Sequence, residues 1–274
     1  HMLFYVPMFD AVTVLAAYAA RTKRLLLGSA VLLLPLRHPT VLAKEVASLD
    51  IISNGRIILG VGVGGEFARE FVACGVPLNE RGPRTNEAIQ VMRRLWSESH
   101  VNHEGRFFRL EDATMEPKPV QRPGPPIWIA GRSEAAMRRA GRLGDAYFPY
   151  LFSPERYRDG FAKVRAFAEA AGRDPSTIQG AIYQFIALAD TYEEGRQRAN
   201  QELSLRYNQP FDRIVDRYCV LGTPEQCAER LAQYVDAGVT HFCLVPIAPP
   251  TELPVHLEAY ARQVAPRVRG QVVP

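Results

Sequence analysis

The stretch LGSAVLLLPLRHPTVLAKEVASLDIISNGRIILGVGVGGEF (27–67) decides the fold. It carries most of two continuous apolar runs, 24–34 and 56–64, of the kind found in strands that are covered on both faces. Between the runs, residues 38–52 show apolar positions at helical spacing, and Pro39 suits the first turn of a helix. A strand, an amphipathic helix and a second strand in this order predict a parallel βαβ unit.

The same alternation continues along the chain. Further apolar runs predict strands at 126–131, 145–150, 178–189 and 241–247. Helical periodicity predicts helices at 9–21, 83–98, 153–171, 223–237 and 253–268. The strongest break is the Pro-rich segment 116–126. It leads straight into a strand, so we expect an excursion around 100–125 inside a single domain that spans 1–274.

A parallel sheet is either doubly wound or closed into a barrel. A doubly wound dinucleotide fold needs G-x-G-x-x-G where a helix opens, whereas Gly60, Gly62, Gly64 and Gly65 lie in a strand and at its end. A TIM barrel has eight strands and six are visible here. The chain also opens abruptly with His1-Met2 before its first helix. A barrel with this order of elements would begin with its second helix and lack a β-α-β segment.

Composition excludes several classes of protein. The formal net charge is +4, but the basic residues are dispersed, and pairs such as Arg138-Arg139 fit a solvated helix face. We therefore expect no nucleic-acid partner. No apolar run reaches the roughly 18 residues of a membrane span, and no signal peptide opens the chain, so a cytoplasmic protein is predicted. The four cysteines lack CxxC spacing, which predicts buried thiols rather than a disulfide or a metal site.

Small residues mark one candidate site. Gly28-Ser29-Ala30-Val31 interrupts an apolar strand, which predicts a β-bulge or a tightly packed layer. At the end of the next strand, Gly62, Gly64 and Gly65 bring the backbone close to something bulky, and we interpret them as the wall of a cofactor site with Glu66 at its edge.

Gly131-Arg132-Ser133 lies between a predicted strand and a helix that opens at Glu134. The N–H groups and the positive end of that helix suit a phosphate group, and Arg132 adds a forked donor. Ser133 is equally suited to be an ordinary N-cap. The two interpretations are compatible.

Four further residues are candidates for contact with a substrate or a phosphate. Arg37 and His38 follow the first predicted strand, and His38 either contacts substrate or cofactor or caps its helix. Arg81 and Arg84 either reach a phosphate or an acidic substrate, or they form a salt-bridged loop. No metal-ligating cluster is apparent.

Four segments in this order resemble the luciferase-like monooxygenase family, and the resemblance runs from about residue 10 to 268. The first is 27–67, quoted above. The others are FVACGVPLNERGPRTNEAIQVMRRLW (71–96), GRFFRLEDATMEPKPVQRPGPPIWIAGRSEAAMRRAGRLGDAYFPY (105–150) and LGTPEQCAERLAQYVDAGVTHF (221–242). The resemblance implies an α/β, TIM-like (β/α)8 barrel whose first β-α-β segment is absent from this chain.

The resemblance also implies a cofactor, FMN or the deazaflavin F420, at the carboxyl ends of the strands. It implies a non-prolyl cis peptide at Ala30–Val31 behind the flavin ring. His1 is either the family's histidine at the end of its second strand, near that ring and in a catalytic position, or a remnant of cloning.

With F420 the reaction is a two-electron hydride transfer to or from a small organic substrate. With FMN it is oxygen insertion, which requires a flavin reductase as partner. The preference for Arg over Lys mildly favours F420, and a homodimer is expected from the resemblance. Two alternatives stay open: a non-catalytic flavin-binding homologue, and a barrel hydrolase that would rely on Glu66 and Asp145 as paired acids.

Overall fold

The computed structural model describes residues 1–3 and 7–269. The chain forms two compact units, His1–Ala146 and a second that begins at Tyr147. Both are built from parallel strands and helices, as predicted. The domain boundary itself stays a prediction, namely a single domain over 1–274.

The elements of the first unit follow the predicted order, with one helix, Ala68–Ala73, that was not predicted. They are α1 (Ala11–Arg21), β1 (Leu27–Gly28), β2 (Leu32–Leu33), α2 (Pro39–Ser53), β3 (Ile57–Gly62), α3 (Ala68–Ala73), α4 (Arg81–Ser97), β4 (Val101–Glu104), β5 (Arg109–Ala113), β6 (Ile127–Ala130) and α5 (Glu134–Leu143). The predicted strand 24–34 is thus split into two short strands around the small residues. Helix α4 begins two residues before the predicted helix 83–98, so Arg81 and Arg84 both lie at its start rather than in a loop.

Strand β3 is the centre of the sheet in the first unit. β1 and β2 both pair with it in parallel, with Leu27 opposite Ile57 and Leu32 opposite Val61. β6 pairs with it in parallel through its residue Ile127. Parallel neighbours need a crossover connection, and α2 supplies it between β2 and β3. The predicted βαβ unit is therefore confirmed.

The apolar stripe predicted for α2 faces the core. Leu42, Val46 and Leu49 are at most 3% exposed. Trp96 of α4 is fully buried, and its Nε1–H donates to the carbonyl of Ala43 at 3.0 Å. That hydrogen bond satisfies the indole donor in an apolar environment and fastens α4 to α2.

Arg56, just before β3, joins α1 to the sheet. It is only 9% exposed. Its guanidinium donates to the carbonyls of Ala19, Thr22 and Leu25 at 3.1, 3.0 and 2.7 Å, and Nε donates to that of Ser53 at 2.6 Å. A planar fork of five N–H donors can satisfy several carbonyls at once, which explains why an arginine stands here.

The predicted excursion contains an antiparallel hairpin of β4 and β5. Glu87 of α4 holds it, since Oε1 accepts from the Phe108 N–H at 2.8 Å and lies 3.2 Å from His103 Nε2. The polar sequence of this hairpin predicts solvent exposure for both His100 and His103. This prediction is right for His100, whose side chain is 76% exposed, and wrong for His103, at 14%.

The paired arginines of α5 differ in their surroundings. Arg138 is exposed and pairs with Glu134 at 3.0 Å, as a solvated face requires. Arg139 is 7% exposed, and its Nε donates to Asn86 Oδ1 at 2.6 Å. The prediction of a solvated pair is thus wrong for Arg139, and burial lowers the pKa of its guanidinium.

The second unit follows strand β7 (Ala146–Phe148), which lies at the junction. Its elements are α6 (Pro154–Glu169), β8 (Gln179–Leu188), α7 (Tyr192–Tyr207), α8 (Val215–Tyr218), β9 (Val220–Gly222), α9 (Pro224–Asp236), β10 (His241–Pro246), α10 (Leu253–Ala259) and α11 (Ala265–Arg269), with a π-helical turn over Tyr260–Val264. β8 pairs in parallel with both β9 and β10. Helix α9 opens with a capping box, in which Thr223 and Gln226 cap each other reciprocally.

Three elements of this unit were not predicted, namely α7, the four-residue α8 and β9. Only Gly195, Ala199 and Leu203 of α7 are buried, so the helix carries little apolar periodicity. β9 has three residues, which is too short for an alternating or continuous pattern to stand out. Helix α7 and strand β9 both depend on tertiary packing.

The cysteines are free thiols in different surroundings. Cys219 and Cys227 are buried, and burial raises the pKa of each thiol to about 12. Cys74 is exposed, so the prediction of a buried thiol is wrong there, and Cys243 is intermediate. No helix in the described part of the chain is long and apolar enough to cross a bilayer.

Candidate active site

A cavity of about 710 Å³ opens in the first unit beside β1 and β2. It brings together residues far apart in the sequence. Five of the predicted site residues line it: His1, Ser29, Ala30, Val31 and Arg37. The others predicted, His38, Gly62, Gly64, Gly65, Glu66, Arg81, Arg84, Gly131, Arg132 and Ser133, are not among the residues that line it.

The small-residue segment forms a bulge in this cavity. Gly28 pairs with Ile58, and Leu32 pairs with Val61. Between these two pairs, the chain advances four residues from Gly28 to Leu32 but only three along β3, so one extra residue bulges out. The Ala30–Val31 peptide bond is cis. Both the bulge and the cis bond are confirmed as features of the structure.

Ser29 anchors the bulge from inside the protein. Its side chain is buried, and its hydroxyl donates to the carbonyl of Gly60 at 2.8 Å. Ala30 is exposed and Val31 is half-buried, and both border the cavity. The bulge therefore presents a short stretch of apolar surface to whatever occupies the cavity.

The glycines of β3 make room for the bulge. A Cβ on Gly60 would lie 2.0 Å from the carbonyl oxygen of Ser29, and a Cβ on Gly62 would lie 2.9 Å from Val31 Cγ2. This chain's own atoms thus fill the space beside Gly60 and Gly62. Their connection to a cofactor is through the bulge they accommodate, and direct contact of Gly62 with it stays a prediction.

Gly65 lies at the carboxyl end of β3 with φ of +117°. A Cβ there would lie 2.9 Å from Arg81 Nε, so glycine lets the Arg81 side chain pass. Gly64 has φ of +62°, and Glu66 beside the pair is exposed. A cofactor wall formed by these residues also stays a prediction.

His1 is held by Glu70, a residue of α3 that sequence analysis did not identify. His1 Nδ1 lies 2.7 Å from Glu70 Oε1, and Oε2 accepts from the Met2 and Leu3 N–H groups at 2.7 and 3.2 Å. The Glu70 side chain is fully buried. The ring of His1 meets that of Phe67 edge-on, with centroids 5.4 Å apart. Since 69 residues separate His1 from Glu70, no local signal could have paired them.

Arg37 reaches the cavity and forms an ion pair with Asp10. Partial burial acts to raise the pKa of Asp10, but the Arg37 hydrogen bond and charge, together with the Thr13 N–H, hold that pKa below its usual value. Asp10 is also the N-cap of α1. Arg37 is thus placed by the end of α1.

His38 caps α2, because its Nδ1 accepts from the Thr40 N–H at 3.3 Å. Its ring packs edge-on against Phe108. The capping alternative is therefore confirmed, and the structure brings His38 to the helix end rather than to the cavity lining. Its catalytic role stays a prediction.

Arg81 and Arg84 have partners within the protein. Arg81 Nη1 donates to the carbonyl of Leu78 at 2.8 Å. Arg84 lies 5.2 Å from the ring centroid of Phe108 and 3.5 Å from Glu80. The Arg84–Glu80 ion pair matches the salt-bridged alternative, but both arginines lie at the start of a helix instead of in a loop. Their phosphate contact stays a prediction.

Gly131, Arg132 and Ser133 connect β6 to α5, as predicted. The Ser133 hydroxyl accepts from the Ala136 N–H at 3.3 Å, which confirms the N-cap. Gly131 has φ of +127°, and a Cβ there would lie 2.7 Å from Ala136 Cβ, so the turn into the helix requires glycine. The helix has ten residues and its positive end is suited to an anion.

Comparison with known proteins shows which family this chain belongs to. The family model described as luciferase-like monooxygenase matches residues 1–241. The chain belongs to that family. Membership confirms the prediction of a flavin- or deazaflavin-dependent oxidoreductase, with F420 and FMN as the cofactors found among relatives.

Members of the luciferase-like monooxygenase family resemble this chain over most of its length. The F420-dependent glucose-6-phosphate dehydrogenase of Microbacterium testaceum (strain StLB037) is 30% identical over 95% of this chain and 83% of its own. The crystal structure of the monooxygenase RslO1 from Streptomyces bottropensis has a TM-score of 0.81 at 30% identity, covering 94% of this chain and 82% of RslO1.

A third relative bears on the fold alone. The structure of an F420-dependent secondary alcohol dehydrogenase in complex with an F420-acetone adduct has a TM-score of 0.84 at 23% identity, over 95% of this chain and 84% of that one. Together these likenesses confirm the TIM-like barrel class of the luciferase-like monooxygenase family.

Proposed function

We propose that this protein is an F420-dependent oxidoreductase that interconverts the alcohol and carbonyl forms of a small organic substrate. The observation that carries the proposal is the position of His1 beside the Ala30–Val31 bulge on one cavity, with its Nδ1 held by a buried carboxylate. The 30% identity with a dehydrogenase named as F420-dependent supports the choice of deazaflavin over FMN.

The residues on the cavity fit a deazaflavin. At about 710 Å³ the cavity is within the usual range for cofactor pockets, roughly 300–1,000 Å³. Ala30 and Val31 offer it an apolar surface, and Ser29 keeps that surface in place. When bound, the deazaflavin supplies two-electron hydride chemistry, which no side chain provides.

The protein's own residues bind, orient and handle the proton. The bulge supports one face of a planar ring, and the start of α5, with Gly131, Arg132 and Ser133, holds a phosphate. With a bound deazaflavin as the two-electron acceptor, oxidation of the alcohol would break the substrate's C–H bond and transfer its hydrogen and electron pair to that acceptor. The O–H proton of the substrate passes to Nε2 of His1, and the C=O bond forms. Arg37, which lines the cavity, binds a polar group of the substrate.

Titration with F420 and with FMN, followed by fluorescence quenching, tests the proposal. We expect micromolar binding of F420 and weaker binding of FMN, and a catalytic protein should bleach F420 anaerobically when supplied with alcohols. Ser29→Ala should weaken F420 binding about fivefold, since loss of one hydrogen bond of about 1 kcal/mol loosens the bulge. Ser48→Ala is the matched control, because that hydroxyl donates to Lys44 O on α2, away from the cavity. Binding of neither cofactor would overturn the proposal.

A second candidate is an FMN-based monooxygenase, favoured by the structural likeness to the monooxygenase RslO1. It predicts tighter binding of FMN and oxygen consumption in the presence of a flavin reductase. Tight binding with no turnover of any alcohol or carbonyl would instead indicate a non-catalytic homologue. We further propose that the protein is cytoplasmic and forms a homodimer. Light scattering on the purified protein would test the dimer.

A further inference from the structure

We propose that Glu70 is a positioning residue for His1: it sets the tautomer of the imidazole and stabilises its protonated form. The inference rests on the proposed function only where His1 accepts the substrate's proton. Glu70 is 0% exposed, and its carboxylate meets three donors, one from the ring and two from the backbone. A buried carboxylate with this many hydrogen bonds has a defined orientation.

The geometry assigns the proton on the ring. Glu70 Oε1 is an acceptor, so His1 Nδ1, 2.7 Å away, carries the hydrogen and donates it. Nε2 is then the ring nitrogen with the lone pair, and it takes up the proton. The ring of Phe67 packs edge-on, at 86°, against the imidazole of His1 and limits the rotation of that imidazole. Glu70 thus acts on His1 as a carboxylate acts on a histidine base in other enzymes.

The charge of Glu70 matters as well as its shape. A negative group in contact with the imidazole favours the imidazolium, so it raises the affinity of His1 for a proton. Because Glu70 also holds the N–H groups of Met2 and Leu3, a loss of activity alone would not separate positioning from tethering of the chain. The test therefore reads the titration of His1 directly.

The experiment compares the purified protein with Glu70→Gln, and uses Glu87→Gln as the matched control. Glu87 is a partly buried glutamate that contacts a different histidine, His103, and it lies outside the cavity lining. Nitrogen-15 NMR of the imidazoles, assigned with His1→Asn, gives the tautomer and the midpoint of each titration. These readings need neither cofactor nor turnover.

We expect the Nδ1–H tautomer for His1 in the unaltered protein, and a tenfold weaker proton affinity of His1 in Glu70→Gln. With F420 and substrate, that variant should lose about tenfold or more in kcat with little change in KM, as removal of an outer partner of a functional histidine does. In the plot of kcat/KM against pH, the acidic limb of this variant should move to lower pH. The size of the move should correspond to the tenfold change in the proton affinity of His1. Glu87→Gln should leave the tautomer and the titration of His1 unchanged.

Two outcomes would overturn the inference: an Nε2–H tautomer in the unaltered protein, or an unchanged His1 titration in folded Glu70→Gln. The first needs no variant, so it decides the matter even if Glu70→Gln does not fold. If the NMR results agree with the inference while F420 fails to bind, the proposed function is wrong and the Glu70–His1 pair stands.

Discussion

Replacement of Gly60 by alanine tests the packing that shapes the candidate site. The new Cβ would lie 2.0 Å from the carbonyl oxygen of Ser29, which is 1.4 Å inside ordinary contact at 3.4 Å, and 3.3 Å from Val31 Cγ1. The first obstacle is backbone, so rotation of a side chain cannot relieve it. Either β3 or the bulge must move, which places the cost at the upper end for overpacking, about 3 kcal/mol. At roughly 2–4 °C per kcal/mol for large domains, Tm should fall by about 6–12 °C.

Gly28→Ala is the matched control, on the strand that faces Gly60. Its nearest contact would be Ile58 Cβ at 3.4 Å, which is ordinary, and its φ lies outside the left-handed region. Loss of backbone freedom in the unfolded chain should leave this variant neutral or slightly more stable. Urea and thermal unfolding followed by circular dichroism measure both. If Gly60→Ala unfolds within about 0.5 kcal/mol of the parent protein, our account of the bulge against β3 is wrong.

Three further predictions concern charged groups. Arg56→Met should lower the free energy of unfolding by about 3 kcal/mol, since carbonyls at the end of α1 lose their donors, and urea unfolding measures this. Asp10→Asn should lower it by less than about 1 kcal/mol. Because Arg37 and the helix end lower the pKa of folded Asp10, its contribution is present above the ordinary carboxyl pKa and is lost as pH falls through the lowered one, so the two proteins should converge in acid. Partial burial first, and then the hydrogen bond to Asp216, raise the pKa of Tyr192 to about 12, so Asp216→Asn should shift one tyrosine to lower pH in an ultraviolet titration.

Local signals predicted much of the fold and part of the candidate site. The bulge at Ser29–Val31 and the N-cap at Ser133 depend on neighbouring residues, and both are present. His38 carried two interpretations because a histidine before Pro39 suits either a cap or a site. The sequence could not choose between them, since the choice depends on where the cavity lies.

The errors have a common physical cause. His103 and Arg139 are polar residues that sequence patterns assign to the surface, yet Glu87 and Asn86 supply partners that allow them to be buried. Helix α7 was missed because few of its residues face the core. For His103 and Arg139, the deciding partner lies in another element, helix α4.

By itself, the sequence determined the order of strands and helices and the parallel α/β class. These follow from periodicity, caps and turn residues within a few positions of one another. Only the tertiary structure decided that Gly60 makes room for the backbone of Ser29 and that Glu70 holds His1. Such contacts join residues that are many positions apart. Their identity depends on how strands and helices come to lie side by side, and no local spacing records that.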